Sequence, residues 1–569
     1  MKLHKLIISN FRGLKSDNNV IDFSNSNIIF LIGQNNVGKS TYLRAYEFFT
    51  NSSQKAVLED FNNHDREIPI IIEGWFLKEA EDEEDTDLQG KGKTAEPKWV
   101  DKWVNEDNIV RVRKKWNSVG SSFEKETFSP SENDWVPNGF GGLDTLFSKY
   151  SPTPIAINAM ENDTTLEEKV NKLIQDDFIK KMKLDHVDLC DEITSKIKEL
   201  QSKITGSDAV EELNVGLNEN FQKIFSDLTL KIQASKEENI KIEDAFKKNH
   251  TVTVERTNSN RTESFLQNGH GVIRQALFNF LAFLKQNRNS TKKEYVILYE
   301  EPELFLHPKI AFKLRESLYE LAENSPYQII CATHSPLMID ISKPHSSLIR
   351  VAKDENENSF TYQVGQNLFA KDEEQKQRVQ MINRFNPNIC ETFYANKVLL
   401  VEGDTEAIVY RDLLTRLYFD HEVFVLNTGS KNNIPFFQEI LTAFHIEHYA
   451  IHDTDLEFNE NGSKNSAWIF NQTIWDKVQI ANKLKQGLSR RYVHTTNFET
   501  AHNITLKGAK DKPLKAFQFV QTINRETETP DCLKWLDDIL GTKSITHDMD
   551  YINKSISSSA TNPALTIDN

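Results

Sequence analysis

Cysteine is scarce in this chain: four in 569 residues (Cys190, Cys331, Cys390 and Cys532), scattered and without a CxxC pair. That excludes a disulfide framework and a cysteine-built zinc site, and fits the reducing cytoplasm. No apolar run approaches bilayer length and no N-terminal stretch reads as a signal peptide, so no membrane partner is expected. Net positive charge is also missing: 68 Lys and Arg stand against 84 Asp and Glu, for a formal charge of −16. A protein that simply coats DNA would usually be basic. The imbalance is uneven, however. Glu79 to Asp87 is almost wholly acidic, as solvated loops often are. Between Lys483 and Lys515 eight Lys and Arg face only Glu499 and Asp511. Charge therefore restricts nucleic-acid contact to a local surface. The chain has no internal repeat and exceeds what one core serves, so two or three domains are expected.

What is present begins with an apolar stretch, Leu3 to Ile8, then Phe11-Arg12-Gly13. A strand over Ile28 to Ile32 runs into a Gly-rich turn, and a helix is expected from Ser40 to about Phe49. Ile70 to Phe76 reads as another strand. Residues 77–150 are acidic, Trp-containing and rich in turn formers, and read as a variable insertion with little chemistry. From Thr165 the pattern turns helical, with Leu166, Val170, Leu173, Ile174 and Phe178 on one face. Ile193, Ile197, Leu200 and Ile204 follow a short heptad-like spacing that suits either bundle core or a dimerising arm. Strand patterning returns at Leu228 to Ile232 and Val252 to Val254. The Asn-rich stretch Asn383 to Asn388 reads as a boundary, and the strand Lys397 to Val401 starts a second α/β domain.

Gly33-Gln34-Asn35-Asn36-Val37-Gly38-Lys39-Ser40 fits GxxxxGK[ST] between a predicted strand and a predicted helix. Glycines let backbone N–H groups curl around phosphate oxygens, and the helix N-terminus adds its positive dipole end. Lys39 is expected to reach the β/γ-phosphates and Ser40 to hold Mg²⁺. Gly33, Asn35, Asn36, Gly38, Lys39, Ser40 and Thr41 are the expected nucleotide contacts. The buried-strand run Val296 to Tyr299 ends in Glu300-Glu301-Pro302-Glu303, a Walker B order: Glu300 would support Mg²⁺ and Glu301 polarise the attacking water. A third strand, Ile329 to Ala332, ends in Thr333-His334-Ser335-Pro336, with His334 expected as γ-phosphate sensor.

These motifs resemble the ABC-type ATPases of the SMC/RecF class, in which ATP is sandwiched between the P-loop of one subunit and a signature loop of another. The candidate signature is Gln267-Asn268-Gly269-His270-Gly271, opening a helix from Val272 to Leu284. It departs from LSGGQ, and Glu300 stands where Asp is commoner, which leaves the hydrolysis rate open. The resemblance implies that Gly269 and Gly271 contact ATP across an interface, and hence a homodimer or higher oligomer.

The strand Lys397 to Val401 ends in Glu402-Gly403-Asp404-Thr405-Glu406, with Glu402 and Glu406 on one helix face. Val423 to Leu426 is a strand followed by Asn427-Thr428-Gly429-Ser430-Lys431, and Tyr449 to Ile451 leads to Asp453-Thr454-Asp455. Strand ends of a parallel sheet converge on one edge. Clustered carboxylates repel unless a divalent cation neutralises them, and oxygen ligands suit Mg²⁺ or Mn²⁺. Two such ions could clamp a phosphodiester. The pair of motifs resembles the Toprim domain. No Tyr is placed as a strand-passage nucleophile, and nothing resembles a primase zinc module.

Fusion of such an ATPase to a C-terminal Toprim resembles the OLD (overcoming lysogenization defect) family of nucleases, several of which serve in phage defence. The resemblance covers about 1–76 and 250–515. It implies a further metal acid, matching Glu499, and a catalytic lysine, matching Lys512 with Lys510 and Lys515 as competitors; these lysines also suit a phosphate-contacting patch. The expected fold is α/β: an SMC/RecF-like ATPase (1–160 with the insertion at 77–150, and 226–390), a helical insertion at 161–225, a Toprim domain at 395–515 and an extension at 516–569. The expected activity is DNA cleavage at Toprim metals under ATP control, with an accessory defence component as a further partner. The competing expectation is an SMC/RecF-like clamp whose Toprim recruits partners without cutting.

Overall fold

The computed structural model describes residues 1–79, 102–139, 145–160, 186–205, 253–256, 261–264, 294–323, 325–365, 387–505, 511–527, 529–542 and 549–560, with the single residues 165, 368, 377 and 381. The chain divides into two units, Met1–Ala159 with Arg288–Asn569, and Met160–Asn287. Leu166 to Phe178 (Thr165 apart), Leu228 to Ile232, the signature stretch with Gly269 and Gly271, its following helix, Lys510 and most of Asn383 to Asn388 lie outside the described residues.

The first unit opens with β1 (Lys2–Ser9), β2 (Asn19–Asp22), β3 (Ile28–Ile32), α1 (Lys39–Thr50) and β4 (Ile70–Leu77), followed by β5 (Ile109–Trp116), β6 (Glu124–Ser129), β7 (Asp134–Pro137) and β8 (Thr153–Ile157). An antiparallel sheet of order β2-β1-β4-β5-β6-β7 forms from these. The stretch 77–150 is thus partly sheet, which the sequence reading missed. Alternation along β5 puts Val110, Val112, Lys114 and Trp116 inward. A lysine at an inward position breaks the apolar pattern that reveals a strand. Its ammonium lies 4.0 Å over the Phe123 ring, a contact that suits a desolvated cation.

In the second unit the described elements are α2 (Val187–Thr205) and the hairpin β9 (Thr253–Arg256) with β10 (Arg261–Ser264). Leu189 and Ile193 on α2 are exposed.

The first unit resumes with β11 (Tyr295–Glu300), β12 (Tyr327–Ala332), β13 (Leu348–Lys353) and β14 (Ser359–Gln363). They join β3 and β8 in the order β14-β13-β3-β12-β11-β8, parallel except for β14. Every residue of β3 and β12 is buried, as a strand covered on both faces requires. Tyr42, Tyr46 and Phe49 of α1 share one apolar cluster with Leu6 and Ile8 of β1, Ile70 and Ile72 of β4, and Leu31 and Ile349 of the second sheet.

The C-terminal α/β part is built from β15 (Lys397–Val401), α3 (Asp404–Leu417), β16 (Phe424–Asn427), α4 (Ile434–Ala443), β17 (Glu447–Asp453), β18 (Ser489–His494), α5 (Lys512–Thr522) and α6 (Met549–Ala560). The sheet is parallel, of order β16-β15-β17-β18. Its core joins Leu399, Val401, Tyr410, Leu413, Ile451, Tyr492 and Trp535.

Candidate functional site

In the first parallel sheet β12 lies between β3 and β11, so the Gly33–Ser40 turn, Glu300 and His334 all leave the same edge. The turn demands glycine. Gly33 has φ 139°, and a Cβ there would lie 2.3 Å from the Val351 carbonyl oxygen; Gly38 starts α1 at φ 94°. Lys39 is buried and donates from Nζ to the carbonyls of Gly33 and Gln34, both at 2.7 Å. Nζ also lies 3.2 Å from His334 Nδ1. Burial pulls the Lys39 pKa down to about 8, against the pull of Glu301 and Glu303. Burial, then the Lys39 charge, lowers His334 too. His334 Nε2 stands 3.8 Å from Glu301 Oε1, and Glu300 Oε2 accepts from the Ala159 N–H at 3.2 Å. A cation, an imidazole and two carboxylates thus meet around a cradle of backbone that only glycine fits. The set suits a nucleotide phosphate with its cation.

Glu303 was not singled out by the motif. Its Oε1 accepts from Thr333 Oγ1 at 2.8 Å and from His334 N–H at 3.1 Å, so it orients the histidine. Burial raises its pKa. The only sequence signal was its place in the run Glu300-Glu301-Pro302-Glu303.

The second sheet gathers acids the same way. Glu402 follows β15, Asp453 ends β17, and Glu499 sits in the short helix Phe498–Ala501 after β18. Glu402 Oε1 accepts from the Asp453 N–H at 2.9 Å. Burial, with the charges of Glu406 and Asp455, pushes Glu402 up to about 8 despite Lys431. Glu406 is raised by burial and by Glu499. Asp453 is raised well above the carboxylate range by burial and by its four acidic neighbours, Glu402 first. Its Oδ1 is buried without a hydrogen-bond partner among the described residues. Lys512 Nζ lies 3.4 Å from Glu499 Oε2, whereas Lys515 bonds Gln518.

Lys431 has no role legible in the sequence. It is buried, and its Nζ donates to the carbonyls of Asp453 (2.6 Å) and Thr454 (3.3 Å) and to Asp455 Oδ2 (2.8 Å). As the side chains stand, no three His, Cys, Asp or Glu among the described residues close on one point as metal ligands. Glu402, Asp455 and Glu499 are each turned to a donor of the protein. Surplus buried carboxylate and an orphaned Asp453 oxygen still fit a hard divalent cation better than an apolar or anionic ligand.

Residues 1–164 and 155–339 match the family described as AAA ATPase domain, and residues 393–455 match the overcoming lysogenization defect protein-like TOPRIM domain. The chain belongs to the AAA ATPase domain family and carries an OLD-like Toprim domain. It is 25% identical to the Old nuclease of Escherichia phage P2 over 81% of this chain and 78% of that protein. Against the endonuclease GajA of Bacillus cereus it is 24% identical, over 75% of this chain and 71% of that protein. Against the OLD nuclease of Thermus scotoductus the figures are 26% identity, 43% and 47%, so the chain spans about half of that relative.

The ATPase and the OLD-like Toprim domain meet along β13 and α4. Arg350 is buried on β13, and its Nη1 donates to the carbonyls of Phe444 (3.2 Å) and His445 (3.1 Å) at the C-terminal end of α4. Burial pulls its pKa down to about 10. Tyr362 of β14 stacks on His445 with centroids 4.1 Å apart. Gln34, in the P-loop itself, accepts from Asn396 (3.2 Å) and donates to Glu422 of the Toprim domain (3.4 Å). A cavity of about 690 Å³ runs between the P-loop tip and the Toprim domain, lined in part by Asn35, Asn36, Arg350, His445 and Lys485.

Proposed function

We propose that this protein is an ATP-gated, divalent-metal-dependent DNA nuclease of phage defence or DNA processing, acting in the cytoplasm. The observation that carries the reading is the acid cluster Glu402, Glu406, Asp453, Asp455 and Glu499, at convergent strand ends, with two lysines among it. Those five acids would hold the cations. Bound there, Mg²⁺ or Mn²⁺ supplies charge neutralisation and an activated water. Lys512, exposed enough to meet a substrate and already beside Glu499, stabilises charge at the scissile phosphate. The names of the phage P2 and Bacillus cereus relatives support nuclease chemistry.

In the ATPase, the nucleotide site is built from residues of the unit that joins Met1–Ala159 to Arg288–Asn569. Gly33, Asn35, Asn36, Gly38, Ser40 and Thr41 wrap the phosphates, Lys39 neutralises them, Glu300 supports Mg²⁺, Glu301 orients water and His334 senses the γ-phosphate. Gly269 and Gly271 complete a partner's site in a homodimer. The exposed Leu189 and Ile193 of α2 support a dimerising arm. The P-loop contacts of Gln34 and the Arg350 joint give the nucleotide a short path to the Toprim domain. The test is purified protein with plasmid and linear DNA, with Mg²⁺ or Mn²⁺, with and without ATP. EDTA should stop cutting, and Asp453→Ala should be inert. Full cleavage by Asp453→Ala refutes the reading.

A further inference from the structure

The two turns that carry the acids are both strained. Asp455 has φ 57° and Thr496, a β-branched residue, φ 64°. Such backbone persists only where its surroundings over-determine it. The turns hold each other: Asp455 N–H donates to the Thr496 carbonyl at 3.0 Å, and Thr454 N–H to the His494 carbonyl at 2.9 Å. From inside, Lys431 grips the Asp453–Asp455 turn. From outside, the grip comes from the far end of the chain. Ser559 of α6, 1% exposed, pairs its hydroxyl with Thr454 Oγ1 at 2.5 Å. The Thr496 N–H donates to both hydroxyls, at 2.7 Å to Thr454 and 3.3 Å to Ser559. The Ser559 carbonyl accepts from Glu457 N–H at 3.3 Å.

We infer that Ser559 is a positioning residue of the acidic site: its hydroxyl bridges the Asp453–Asp455 turn to the turn before Glu499 and sets both for the cation. The C-terminal helix is then part of the site. The function of this brace rests on the metal reading proposed above; its existence does not. An outer partner of this kind acts through ligand orientation, and its loss weakens a metal site about 10–100-fold.

The experiment uses the full chain. Hydrogen exchange is measured without metal over peptides covering 453–457 and 495–499, and Mn²⁺ affinity is measured by calorimetry. Ser559→Ala should speed exchange in both peptides and weaken Mn²⁺ by about 10–100-fold. Ser555→Ala, one turn earlier on the same helix, should do neither, which separates the brace from mere helix damage. Thr454→Val removes the opposite hydroxyl, so the Thr454→Val/Ser559→Ala double variant should be no worse than the poorer single one. Wild-type exchange and wild-type Mn²⁺ affinity in Ser559→Ala overturn the inference, as does an equal effect from Ser555→Ala. A wild-type chain that binds no Mn²⁺ ends the metal reading, and the exchange comparison then decides the brace alone.

Discussion

Replacing Arg350 by Met tests whether the ATPase and the Toprim domain move as one body. The side chain is 7% exposed and makes two hydrogen bonds to carbonyls at the end of α4. Hydrogen bonds involving a charged group contribute about 1.5–3 kcal/mol each. The lowered pKa says that burial takes part of this back, so the lower end, about 3 kcal/mol in total, is the expectation. Methionine fills much of the volume but leaves the carbonyls of Phe444 and His445 without their donor. For a domain of 150–250 residues, each kcal/mol moves the melting temperature by about 2–4 °C, giving a fall of roughly 6–12 °C in the Toprim transition. Scanning calorimetry of the full chain should show that transition splitting from the ATPase transition. ATP should still be hydrolysed, while its effect on DNA cleavage is lost. Arg350→Lys should rescue part of the loss, because both bonds leave one nitrogen, Nη1, and an ammonium also carries donors enough for two carbonyls. An unchanged melting profile together with intact ATP control of cutting would refute the reasoning.

Glu402→Ala or Asp453→Ala should abolish cleavage and leave ATP turnover largely intact, checked by plasmid nicking and phosphate release on the same preparation. Glu301→Gln should trap ATP, read as slow release of labelled nucleotide; hydrolysis at the wild-type rate would reassign the base. Lys512→Ala should impair cleavage more than DNA binding, and binding loss alone would make Lys512 a plain phosphate contact. Lys39 gives the pH dependence. Its folded pKa of about 8 lies below the ordinary lysine value of 10.5, so the folded chain binds fewer protons than the unfolded one between those values. Its burial therefore costs stability below pH 8, and that cost fades as pH rises towards 10.5. ATP needs the charged form, so its affinity should fall above about pH 8, by up to about tenfold per pH unit, in titrations of the Mg²⁺-free protein.

The P-loop, the Walker B strand and the Toprim strand ends were legible because each motif is contiguous: one apolar run, then its polar residues. Parallel topology brings them together, and the sheet orders bear this out. The strands within 77–150 were not legible, because Lys114 occupies an inward position among aromatic rings, that of Phe123 at 4.0 Å and that of Phe49 at 5.4 Å. Lys431 was not legible either, since a lysine after a strand looks like any solvated end until Asp453 and Asp455 stand beside it. Arg350 and Ser559 had no signal at all. Their partners, Phe444 and Thr454, lie 94 and 105 residues away in the chain. Distance of that kind erases local pattern, and a single sequence carries no other trace of it.

Strand β13 serves two neighbours with adjacent residues: Arg350 reaches α4, and the carbonyl of Val351 sits against Gly33. Side chains alternate along a strand, so a slip of one residue would exchange faces. The guanidinium would then point into the apolar cluster that holds Val351, and a valine would face the helix end. Both nucleotide cradle and Toprim joint would fail together. Length changes in this hairpin are therefore confined to its tip, Asp354 to Asn358, where the turn closes on its own hydrogen bonds. Insertions there should be borne by the fold, whereas a single deletion within Leu348–Lys353 should not.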